Sequence, residues 1–210
     1  MAYQHYFFDL DGTLTDPGVG IKNSIRYALA RFGLPEQEEA VLDRFIGPPL
    51  LDSFARYCGA TPKEAKELLR LYREYFAERG IFENQVYDGI PGTLAALRQR
   101  GARLYLATSK PEPYAKRILA HFGLAEQFTF IGGSTMEETR TDKAEVIRYV
   151  MESAGVPREG CVMVGDRVYD IRGGKACGLS TVGVLYGYGD RAELSEADQL
   201  IQSPEELLTV

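Results

Sequence analysis

The run Phe7-Phe8-Asp9-Leu10-Asp11-Gly12-Thr13-Leu14-Thr15 decides how the rest of the chain is read. An apolar stretch, Tyr6 to Phe8, delivers two carboxylates spaced i, i+2, and a glycine follows at once. In extended backbone, side chains two apart share a side, so Asp9 and Asp11 point the same way. Acids that close repel each other, and the arrangement is costly unless a cation or a shared proton relieves it. The hard oxygen pair suits Mg²⁺, which takes one or two carboxylates together with waters and phosphate oxygens. The stretch reads as a strand end carrying a phosphoryl-transfer site.

Working outward, short β-rich runs alternate with helical ones. Strands are expected near Gln4–Phe8, Arg103–Ala107, Thr129–Ile131, Val162–Val164 and Thr181–Val184. Helices are expected near Pro91–Arg100, Pro113–His121, Asp142–Ala154, Tyr169–Cys177 and Pro204–Leu208. Such alternation implies an α/β fold, a parallel sheet with helices on both faces. Gly33, Gly59, Gly80, Gly101, Gly123, Gly155 and Gly178 each follow a helical run and suit the left-handed residue that ends it. Gly173 and Gly174 precede no GxGxxG-type loop and read as places where a helix packs closely on the sheet.

From about Pro17 to Gln85 the pattern is helical only. Thr61-Pro62-Lys63-Glu64 is a capping box with proline in the first turn, and Ala65, Leu68, Leu69, Tyr72 and Phe76 follow at helical spacing. That apolar face needs other helices, for which Ile21–Phe32, Ala40–Phe45 and Leu50–Tyr57 are the candidates. The chain is therefore expected to divide into a core, residues 1–16 and 86–210, and an inserted helical module, residues 17–85. Asp16-Pro17-Gly18 and Val86-Tyr87-Asp88-Gly89 form the joints. Within the insert, Phe45-Ile46-Gly47-Pro48-Pro49-Leu50 breaks the helical pattern, either as a plain connector or as a rigid loop that selects substrate.

At 210 residues, with 45% hydrophobic and 26% charged side chains, the composition is that of a soluble globular protein. A formal net charge of −6 argues against a nucleic-acid surface. Three cysteines without CxxC spacing point to a reducing compartment, and two distant histidines supply neither a zinc site nor Ser-His-Asp catalysis. No apolar run approaches the roughly 20 residues of a membrane span, and the N-terminal residues lack a signal-peptide pattern. A cytoplasmic protein without a membrane partner is expected; the oligomeric state is open at this level.

Ligands of open α/β sheets bind at the carboxyl ends of the strands. After the first expected strand come Asp9, Asp11 and Thr13, and after the second come Thr108, Ser109 and Lys110. Lys143 opens the helix after the third. Asp166 follows the fourth, with Asp170 four residues on. Asp9-Leu10-Asp11-Gly12-Thr13, Thr108, Lys143, and Gly165-Asp166 with Asp170 resemble, in order, the four motifs of the haloacid dehalogenase-like phosphatases. The resemblance covers nearly the whole chain.

It implies a Rossmann-like core with a helical cap after the first motif, and a set of roles. Asp9 is then the nucleophile that forms an aspartyl-phosphate, and Asp11 the acid and base. Thr108 bonds a phosphoryl oxygen and Lys143 neutralises charge shared by Asp9 and the phosphate. Asp9, the Asp11 carbonyl and Asp166 hold Mg²⁺. Gly12, Thr13, Ser109 and Asp170 are expected around the substrate or behind these groups, with backbone N–H groups beside Gly12 cradling phosphate oxygens.

Small-molecule phosphate monoesters are the implied substrates. Phe45–Leu50, Gly165-Asp166-Arg167 and the Gly183–Gly189 run are similar to a 5′-nucleotidase-like branch, while the general layout is similar to phosphoglycolate phosphatases. Arg167 departs from the small hydroxyl residue common at its position. A sugar phosphomutase is the alternative within the superfamily, but Thr15–Gly20 lacks the histidine typical of one. A non-catalytic phosphate-binding regulatory module is the alternative outside it; a receiver-type domain needs neither the helical insert nor a proton donor at Asp11.

Overall fold

The computed structural model describes residues 3–210. Its strands are β1 (His5–Phe8), β2 (Thr15–Asp16), β3 (Gln85–Val86), β4 (Arg103–Pro111), β5 (Phe130–Ser134), β6 (Cys161–Gly165), β7 (Ser180–Val184) and β8 (Gln199–Ile201). Its α-helices are α1 (Gly18–Phe32), α2 (Glu39–Leu42), α3 (Leu50–Cys58), α4 (Pro62–Tyr75), α5 (Ile90–Gln99), α6 (Glu112–His121), α7 (Lys143–Ala154) and α8 (Val168–Ala176). The chain divides into two compact units, Met1–Thr15 with Val86–Val210, and Asp16–Gln85.

In the first unit six strands form one sheet in the order β5-β4-β1-β6-β7-β8, every pair parallel. The α/β reading is borne out. β1 is hydrogen-bonded on both edges and all four of its residues are buried, which is why it reads as an unbroken apolar run. Phe7, Tyr105 and Met163 form one face, packed with Val146, Ile147, Val150 and Met151 of α7. Phe7 stacks on Tyr105 with ring centroids 4.9 Å apart. Period-2 alternation sends Tyr6, Phe8, Leu104 and Leu106 to the opposite face, and all four are buried.

The register fixes the active edge. Phe8 lies beside Leu106 on one side and Val164 on the other, so the residues that follow these three emerge together. β8, absent from the sequence reading, adds a sixth strand parallel to β7. Three residues between polar neighbours carry no readable alternation. Cys161 and Cys177 are buried and Cys58 is half-buried, all three as free thiols.

Between its two ends the second unit is built of helices and their connectors. Thr61 and Glu64 close the expected capping box at the start of α4, with Glu64 Oε2 accepting from Thr61 N at 2.8 Å. Ala65, Leu68, Leu69, Tyr72 and Phe76 are all buried, and α4 packs against α1 and α3. Phe45 sits under the Ile46–Pro49 connector, its ring centroid 5.4 Å from Phe54 and 5.3 Å from Tyr57. The chain enters and leaves this unit through β2 and β3, which pair with each other.

Of the glycines expected past helix ends, Gly33, Gly59, Gly101, Gly123, Gly155 and Gly178 have positive φ, and Gly80 does not. Gly80 instead closes a π-helical turn, Phe76–Gly80, that lies against α1. A Cβ on Gly80 would stand 2.5 Å from Ser24 Oγ and 2.8 Å from the Gly20 oxygen, and one on Gly20 would overlap the Gly80 oxygen. The pair lets two backbones touch. Gly20→Ala should therefore destabilise the protein by about 1–3 kcal/mol in urea unfolding. Gly92→Ala, in α5 with open space around it, should stabilise by about 0.5–1 kcal/mol. Equal midpoints for the two variants would rule out the close crossing.

Candidate active site

The chain past β1 keeps one more sheet bond, Asp9 N to Val164 O at 3.0 Å, and then winds around a single carbonyl. Thr13, Leu14 and Thr15 all direct N–H groups at Leu10 O, while Gly12 N donates to Thr15 O at 2.8 Å. Gly12 has φ +80°, and a Cβ there would overlap the Asp166 carboxylate, so the position needs glycine on two counts. The N–H groups of Gly12 and Thr13 are thus committed inside the loop. Of the neighbours of Gly12 expected to cradle phosphate, Thr13 spends its N–H inside the loop, and the Asp11 N–H is not among those the loop uses.

At the end of β4, Thr108 is buried and its Oγ1 accepts from Lys110 N at 3.3 Å. Ser109 beside it is partly exposed. Lys143 is the first residue of α7, whose N-terminus Asp142 caps through Glu145 N at 3.1 Å. The Lys143 ammonium is buried. It donates to Ala107 O at 3.1 Å and forms ion pairs with Asp9 Oδ1 at 2.9 Å and Asp170 Oδ1 at 2.8 Å. Gly173 clears its path, since a Cβ there would stand 2.7 Å from Lys143 Cγ.

Asp166 follows β6 with no exposed surface. Its Oδ1 accepts from Thr13 Oγ1 at 3.2 Å and its Oδ2 from Tyr188 N at 2.9 Å. Asp170, in the first turn of α8, accepts from Arg167 N at 3.0 Å through its other oxygen. Arg167, which stands where a small hydroxyl is common, pairs with Glu193, Nε to Oε1 at 2.8 Å, and its charge also pulls the Asp166 carboxyl down against burial.

Carboxylate oxygens of Asp9, Asp166 and Asp170 lie within 4.8 Å of one another. Burial, then the charges of Asp170 and Asp9, push the Asp166 carboxyl well above the usual range. Burial likewise raises Asp170, to about 6, against the pull of Lys143. Burial alone would lower Lys143, but Asp170 and Asp9 outweigh it and hold the ammonium charged. Lys143 thus offsets Asp9 and Asp170, and Asp166 adds a third buried acid beside them. All-oxygen donors, crowding and excess negative charge together fit a hard divalent ion.

Asp9, Thr108, Lys143, Asp166 and Asp170 thus gather at one sheet edge, with Gly12 and Thr13 packed against Asp166. The Asp11 carboxylate is not one of those three acids but feels Asp9 and Lys143; its Oδ2 lies 2.5 Å from Lys110 Nζ and its Oδ1 is buried without a hydrogen bond. Burial raises its pKa and Lys110 opposes the rise.

Two contributors were named in the sequence but given no role at the site. One is Lys110. The other is the loop Tyr186–Gly189, in which Tyr186 Oη donates to Thr13 O at 3.1 Å and Gly187 and Gly189 admit Asp166 to contact distance. Alternating Tyr-Gly in that run was the available signal.

A parallel sheet with acids and a lysine at its carboxyl edge defines a Rossmann-like α/β enzyme. Residues 6–184 match the haloacid dehalogenase-like hydrolase family. A 5′-nucleotidase of Pseudomonas aeruginosa is 46% identical over 194 residues, 92% of this chain and 88% of that protein. The crystal structure of a predicted phosphatase from Clostridium acetobutylicum superposes with a TM-score of 0.95 at 39% identity, covering both chains in full. Tyrosine-protein kinase PtkA of Mycobacterium tuberculosis is 41% identical over 186 residues, 89% of this chain but 63% of that protein. The chain belongs to the haloacid dehalogenase-like hydrolases and is an enzyme of the phosphatase class.

A divalent cation that joins these acids must displace their protons, so its hold weakens as pH falls. A saturating divalent cation should raise the melting temperature, by the equivalent of about 2.7 kcal/mol at a hundred times Kd. The rise should shrink as pH drops through about 6, where Asp170 takes up its proton. Asp166→Ala should lose it; a rise that survives in this variant would place the ion elsewhere.

Proposed function

We propose that this chain hydrolyses small-molecule phosphate monoesters through an aspartyl-phosphate on Asp9. In this reading residues 1–16 and 86–210 are the catalytic core and residues 17–85 a helical cap. The observation that carries it is the convergence of Asp9, Thr108, Lys143 and Asp166 on one sheet edge, with Lys143 2.9 Å from the Asp9 carboxylate. Asp9, the Asp11 carbonyl oxygen and Asp166 would hold Mg²⁺, with Asp170 near enough to share the task. When bound, the ion supplies positive charge against the phosphate oxygens.

A carboxylate oxygen of Asp9 bonds to phosphorus as the bond from phosphorus to the ester oxygen breaks, and Asp11 gives its proton to that oxygen. Burial favours the protonated Asp11 this step needs. Water then attacks the phosphorus of the aspartyl-phosphate and loses its proton to Asp11, which frees phosphate and restores Asp9. Lys143 offsets the charge of Asp9 and the entering phosphate, and the Thr108 hydroxyl donates to a phosphoryl oxygen.

The Pseudomonas aeruginosa relative supports 5′-nucleoside monophosphates ahead of phosphoglycolate. The relative named as a tyrosine kinase supports a second reading, phosphoryl transfer to tyrosine. A panel of phosphate monoesters, with ATP and a tyrosine peptide as the control, separates these. Release of inorganic phosphate from nucleoside monophosphates is expected, and peptide phosphorylation without phosphate release would overturn hydrolysis. Asp9→Asn should abolish turnover with the fold intact by circular dichroism, and Asp11→Asn should lower kcat by roughly 10²–10⁴-fold.

A further inference from the structure

We propose that Lys110 is a positioning residue that holds the Asp11 carboxyl in the orientation its proton transfers require; this rests on the acid–base reading of Asp11 given above. The backbone is shaped for it. Along β4, Thr108 pairs with Gly133 of β5, but the next pair is Pro111 with Ser134, so Ser109 and Lys110 bulge out of the ladder. Bulges of this kind re-aim side chains beside active sites. The bulge seats against a glycine, since a Cβ on Gly133 would stand 2.5 Å from Lys110 O and 2.9 Å from Glu112 N. Thr108 Oγ1 accepts the Lys110 N–H and ties the bulge to a residue of the site.

The side chain that results is nearly buried, with Lys110 7% and Asp11 12% exposed. At 2.5 Å the Nζ to Oδ2 contact is a short, charge-assisted bond. It engages one carboxyl oxygen and leaves Oδ1 buried and unbonded, the atom open to an exchanged proton. An aspartate on a loop has two free torsions, and the ammonium removes that freedom. A misplacement of about 1 Å in such a group lowers turnover about 10²-fold.

Leaving groups report the role. p-Nitrophenolate departs without a proton, whereas an alkyl alkoxide needs one, so a displaced Asp11 harms alkyl esters selectively. The value of kcat/KM, which isolates the phosphoryl-transfer half, is compared for adenosine 5′-monophosphate and p-nitrophenyl phosphate. Lys110→Met should lower the alkyl value by on the order of 10²-fold and the aryl value far less, with Lys110→Arg restoring part of the loss. Asp11→Asn should show the same selectivity. If it lowers both values equally, the acid role of Asp11 itself fails. If it is selective and Lys110→Met is not, the positioning role fails alone.

Removing the lysine leaves an acid buried without its cation. The double variant D11N/K110M avoids this and should be no slower than D11N, since the side chain that Lys110 positions then carries no proton to transfer. A further loss in the double variant would show a separate task for Lys110 and overturn the proposal.

Discussion

One ammonium group organises this molecule. Lys143 is buried between Asp9 and Asp170, with Asp166 close by, and burying an ion is tolerable only when partners replace the water it gives up. The surrounding backbone is shaped to permit that approach. Gly173 leaves room for the lysine stem, and a side chain on Gly165 would overlap Asp170. α7 supplies the lysine and α8 the second acid, and the two helices pack on each other. A single oversized residue at either glycine would separate the charges and strand them away from solvent.

The excess of acids over bases explains the rest of the architecture. Asp166 receives neutral donors from two loops that the chain brings from opposite ends, Thr13 and Tyr188. Such donors orient the carboxylate but bring no full positive charge of their own. Asp11 is handled differently, by a lysine of its own on the β4 bulge. Two acids two residues apart are thereby given separate environments, and separate environments let neighbouring carboxyls do different chemistry.

Much of this was legible before any coordinates. Apolar runs ending in acids, a hydroxyl or a glycine marked the strand ends, because parallel strands buried on both faces leave a continuous apolar signature. α4 announced itself through Thr61, Pro62, Glu64 and its apolar spacing. Lys110 was seen to follow Thr108 but not assigned a task, since a bulge is a property of pairing between strands, invisible in one of them. Gly80 misled because a glycine after a helical run suits both a left-handed stop and a close backbone crossing. The Leu10–Thr15 loop was legible only in part for a related reason: composition does not tell which N–H groups a turn consumes internally.

The central place of β1 bears on how the chain is made. His5 lies beside Arg103 and Cys161, so this strand has no sheet neighbour until far more of the polypeptide has left the ribosome. Contacts so distant along the sequence slow folding and leave apolar segments open to chaperones and to aggregation in the meantime. The pairing of β2 with β3 shortens the wait. Once residues 16–85 have folded and joined their two ends, the effective loop between β1 and β4 shrinks to residues 9–14 and 87–102. The inserted helices thus serve the nascent protein as a clasp, bringing the first strand to its partners.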